Sequence, residues 1–156
     1  MLLRHCLIAT LSMLPLTAGA EDAPKTGTAN ITNTWMITSI NTLKVGDHRV
    51  ATNELSGITR NDSGGPMFSN VAFHCMGIFG LGPGHGACTY TDKDNDQIMV
   101  RWEETSDGAG HSTIIAGSGK FTGITGSSEW TVQFPIKGDD RYNRGIGSEK
   151  VTWKLP

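Results

Sequence analysis

Four stretches of the chain set chemically capable side chains at suggestive spacings. "NDSGGPM", residues 61–67, presents Ser63 on a Gly-Pro loop, where it could serve as a nucleophile with His48 or His111 as base. Such an arrangement is recognised by geometry and not by chain order; without geometry, the simpler reading is a turn. "GSGKFTGITG", residues 117–126, has glycines followed at once by Lys120, as in loops that cradle phosphate. A Walker loop needs glycine where Ile114 stands and Ser or Thr where Phe121 stands. A dinucleotide loop needs its third glycine at Thr122. Both also need a following helix to hold the anion, and "SEWTVQF" follows instead. The stretch therefore reads as a corner between strands, anchored by Phe121.

"TDKDNDQ" brings Asp92, Asp94 and Asp96 together, with Glu103 further on. An EF-hand loop would require glycine at Gln97 and flanking helices. An acidic hairpin is the simpler reading, with weak calcium binding the sharper one. Cys75 and Cys88 lie near His74 and His85. Their spacing fits no familiar zinc pattern, and His74 must point away from Cys75 if both lie on one strand. The expectation is a Cys75–Cys88 disulfide, with no metal site and no cofactor.

The elements that would position these residues read as strands. In "QIMVRWEE", Ile98, Val100 and Trp102 alternate with Met99, Arg101 and Glu103. Trp130, Val132 and Phe134 alternate with Glu129, Thr131 and Gln133; Val151, Trp153 and Leu155 alternate with Thr152 and Lys154. A period of two marks a half-buried strand. "NTWMITSI" and "VAFHCMGIF" are rich in β-formers. Asp94-Asn95 and Asp107-Gly108 supply turns, and the 20 glycines suit tight corners and positive φ. About eight strands result. The expected fold is all-β, an antiparallel barrel in which closure removes the edges, with a β-sandwich as the alternative.

Residues 1–20 have a basic start, an apolar run from Leu7 to Leu16 and Ala18-Gly19-Ala20. That is the pattern of a cleaved signal peptide, and the run is too short to span a bilayer. The expected organisation is a signal at 1–20, a flexible leader at 21–29 and one barrel domain at 30–156, in a secreted or periplasmic protein. A net charge of −2 gives no footprint for nucleic acid. Trp35, Trp102, Trp130 and Trp153 stand on apolar faces, either as core or as the lining of a ligand cavity.

"GPMFSN", "HCMG", "GACTYTDKDND" and "GSGKFTGITGSSEW" together resemble segments of secreted bacterial proteins of the allene oxide cyclase barrel-like group, within the calycin-like and dirigent-like barrels. The resemblance implies an eight-stranded barrel with an interior pocket for a small apolar molecule, often assembled as a trimer. It carries over no catalytic position. From strand placement, the polar candidates for a cavity are His74, Tyr90, Arg101, Glu103, Glu129 and Gln133, with Glu129 the first candidate acid or base. These support three roles: a small-ligand binder, a cyclase or isomerase acting by confinement, or an envelope protein with a solid core.

Overall fold

A computed structural model describes residues 23–106, 108–136 and 144–156. The expected signal segment, the start of the leader and Asp107 lie outside the described residues.

Eight strands follow one another: β1 (Thr26–Val45), β2 (His48–Asn61), β3 (Val71–Phe79), β4 (His85–Thr91), β5 (Gln97–Ser106), β6 (Ala109–Gly117), β7 (Thr125–Ile136) and β8 (Arg144–Lys154). Each pairs antiparallel with the next, and β8 returns to β1, so the sheet closes into a barrel. Closure leaves no row of unpaired strand amides, which settles the choice between barrel and sandwich. Part of the stretch expected as a leader, 21–29, is strand. Thr26–Ala29 already belong to β1, paired with Lys154–Val151 of β8, and Ala29 is buried.

Alternation decides what each strand turns inward. On β8 the odd-numbered residues from Gly145 to Trp153 are buried and the even-numbered ones exposed. On β3 Val71, Phe73, Cys75 and Gly77 are buried between exposed neighbours. The large inward rings need room, and the register supplies it. Trp153 faces Gly27, Trp130 faces Gly110, Trp102 faces Gly86, Trp35 faces Gly145 and Phe73 faces Gly57, each directly across a strand pair. A Cβ on any of these glycines would collide with the ring opposite. Part of the glycine excess thus serves ring packing inside strands, not only turns.

One end of the barrel is filled. Met67 and Phe68 enter from the β2–β3 loop, Phe121 and Ile124 from the β6–β7 loop, and all four are buried with Trp153 and Leu155. Phe68 packs edge-on against Tyr90 and Trp153, with ring centroids 5.9 Å apart in both cases. To do so it takes φ 58°, an uncommon conformation for a bulky residue. The buried Thr59 hydroxyl donates to the Phe68 carbonyl at 2.6 Å, and Asn61 Nδ2 donates to the Met67 carbonyl at 2.7 Å. These two bonds fix the loop that carries the plug.

The glycine-rich corner behaves as its sequence suggests. Gly119–Phe121 make a single 3-10 turn, with Gly119 at φ 52°, and Phe121 is buried beneath it. Lys120 turns to the acidic hairpin, pairing with Asp92 and, at 2.9 Å, with Asp94. Its own amide donates to Asp96 at 3.2 Å, while Asp92 Oδ1 accepts from the amides of Asp94 and Asp96. The Lys120 ammonium therefore sits against two of the three carboxylates that could have gathered a cation.

Candidate interior site

Above the plug the barrel is hollow. A cavity of about 390 Å³ reaches from the middle of the barrel to the end formed by the β3–β4 and β5–β6 connections. That volume falls within the usual range for small-ligand pockets, about 300–1,000 Å³. Its walls are aromatic: Trp35, Phe73, Phe79, Tyr90, Trp102 and Trp130 all line it. Trp102 lies between Phe79 and Trp130, with centroids 5.7 and 6.2 Å away. Cys75 and Cys88, directly opposite each other on β3 and β4, form the expected disulfide and line the same wall.

The polar groups in this wall are few. Glu149, on β8 between Gly147 and Val151, is 7% exposed and lines the cavity. Its Oε2 accepts from Asn33 Nδ2 at 3.0 Å and from the Tyr90 hydroxyl at 3.3 Å. Burial pushes the Glu149 carboxyl above its ordinary range; hydrogen bonds from Ser128, Asn33 and Tyr90 oppose the rise without cancelling it. The Tyr90 phenol is held well above its ordinary value, first by burial and then by the Glu149 charge. Glu104 is the second carboxylate of the lining. Among the described residues, three buried polar atoms lack a partner: Asn33 Oδ1, Asn53 Oδ1 and Trp102 Nε1. All three belong to lining residues.

Of the six cavity candidates read from the sequence, Tyr90 is buried and lines the cavity. His74, Arg101, Glu103, Glu129 and Gln133 are exposed on the outer face, because each has the parity opposite to its inward neighbour. His74 lies 3.6 Å from Glu54 at the surface. Glu103 and Glu129 belong to a cross-strand row of His85, Glu103, His111, Glu129 and Lys150 on the outer face. Glu129 is therefore remote in orientation from any interior acid-base chemistry. Ser63 is also committed to structure. Its hydroxyl accepts from the Asn30 amide at 2.9 Å, and its own amide donates to Asn61 Oδ1.

Sequence reasoning passed over Glu149, Asn33 and Asn53. The parity that identifies the Val151–Trp153–Leu155 face also includes Glu149, and Asn33 shares its face with Ile31 and Trp35. A polar residue in phase with tryptophans, and not one on the alternate face, was the informative sign.

No family model matches the chain, and no curated protein matches its sequence. Among solved structures it is similar to a pterocarpan synthase dirigent protein, with a TM-score of 0.49 and 10% sequence identity, over 94% of this chain and 98% of that one.

Proposed function

We propose that this protein is an exported barrel that binds one small, largely apolar molecule in its interior. The observation that carries the reading is the combination within one cavity of six aromatic walls, a buried carboxyl and, among the described residues, three partnerless polar atoms. A closed barrel of this size can hold a single small ligand, and a few convergent polar groups would orient it. Glu149, held by Asn33 and Tyr90, is the anchor, and Trp35, Trp102 and Trp130 enclose the apolar body. Export rests on the pattern of residues 1–20 and agrees with the disulfide. Among the described residues no helix is long and apolar enough to cross a membrane.

A second reading uses the same residues. A carboxyl whose proton affinity is raised by burial can give or take a proton from a confined molecule. Confinement plus Glu149 would then make the barrel a cyclase or isomerase, with Glu149 in the role first assigned to Glu129.

Native mass spectrometry of the protein purified from its own host tests the binding reading. The expected result is a retained small molecule in the wild type that is missing from Ser112→Trp, in which the new ring occupies the cavity. A molecule retained equally by both proteins would place binding elsewhere.

A further inference from the structure

The cavity's charge and hydrogen-bonding inventory narrows the ligand class, given the interior-binding reading above. Among its described lining residues are two carboxylates, Glu149 and Glu104, and no Lys, Arg or His. Glu149 has no cationic partner among the described residues; what it receives are hydrogen bonds from neutral groups. The Asn33 amide must turn its NH2 toward the accepting carboxylate, so its oxygen is left as a free acceptor. Asn53 offers a second free acceptor. Trp35, Trp102 and Trp130, with Phe73, Phe79 and Tyr90, line the same cavity.

We propose that the cavity takes a small protonated amine, with its ammonium directed to Glu149 and the neighbouring Asn33 oxygen and its apolar body enclosed by the tryptophans. An ammonium supplies what the wall lacks, a positive charge and several N–H donors. The rings supply what an ammonium favours, the negative faces of aromatic systems, whose attraction grows when water is excluded. A carboxylate ligand would meet Glu149 and Glu104 as like charges. A quaternary ammonium would satisfy the charge but leave Asn33 Oδ1 unpaired, so a primary or secondary amine fits better. Among the described lining residues, Trp102 Nε1 is the buried donor without a partner, and it suits an acceptor, such as a hydroxyl, on the ligand's body.

Isothermal titration of the full-length mature protein with three probes of one shape tests this. They are 2-phenylethylamine, 2-phenylethanol and 3-phenylpropanoate. The amine should bind at least ~10-fold more tightly than the alcohol, in line with a charge-assisted hydrogen bond to a buried carboxylate, and the acid should bind most weakly. Glu149→Gln should bring amine and alcohol to similar affinity while the alcohol still binds. Equal or tighter binding of the alcohol by wild type overturns the amine assignment and leaves interior binding standing. So does an amine preference that survives Glu149→Gln. Failure of all three probes to bind overturns both. Because the probe comparison is made on wild type, it does not depend on whether the variant folds.

Discussion

Among the described residues, Glu149 is where burial and charge conflict most directly. It is 7% exposed, accepts hydrogen bonds from Asn33 and Tyr90, and carries a carboxyl whose proton affinity is raised by desolvation. A raised pKa in the folded state means that the folded chain holds the proton more firmly than the unfolded one does. The contribution to stability is therefore fully present below the ordinary value near 4.5 and is lost as pH rises through the folded value. Glu149→Gln removes that loss. Melting temperatures compared between pH 4 and pH 8 should show the variant gaining on wild type as pH rises. A difference between the two proteins that does not change over that range would mean that Glu149 titrates as it does in water. Retaining a group with this cost makes sense where something other than stability depends on it, which is the role given to it here.

At the scale of strands, the pairing of rings with glycines governs the interior. Gly110 of β6 lies opposite Trp130, and a Cβ there would collide with both the Trp130 ring and the Glu103 carbonyl. Gly110→Ala is expected to cost about 1–3 kcal/mol, since overpacking forces side chains and backbone apart, and chemical denaturation would show it as a lower midpoint. Arg101→Ala on β5 is the contrast: an exposed site, with a change within about 0.5 kcal/mol. Strand parity was legible in the sequence for β3, β5, β7 and β8, where apolar residues alternate cleanly. It was faint for β2, whose inward residues include Asn53, Gly57, Thr59 and Asn61. The candidate site was legible only in part for the same reason. Tyr90 follows a disulfide cysteine at a spacing of two and was found. Arg101, Glu103 and Glu129 drew notice as charges, although alternation with Val100, Trp102 and Trp130 already directed them to solvent. Which glycines serve turns and which serve rings cannot be read without the register, because only pairing reveals what lies opposite.

For the molecule as a whole, closure and plugging together make a cup. β1 to β8 close the wall, Phe68, Phe121 and Trp153 fill one end, and the cavity opens toward the other. The Cys75–Cys88 bridge ties two adjacent strands of that wall, and the acidic hairpin stapled by Lys120 braces the β4–β5 turn to the β6–β7 corner. Among the described residues, this leaves an aromatic-lined hollow inside the wall, the place where the proposed ligand would sit. The central claim is that binding occurs inside. It is tested most directly by nuclear magnetic resonance of the 15N-labelled protein titrated with 2-phenylethanol, a neutral probe that does not presuppose an amine. The indole N–H resonances of Trp102 and Trp130 and the amide of Glu149 should move together and saturate, while the amides of the exposed β2 residues Thr52 and Arg60 stay in place. Movement confined to outer-face positions, with the Trp102 indole unmoved at saturation, would contradict the account.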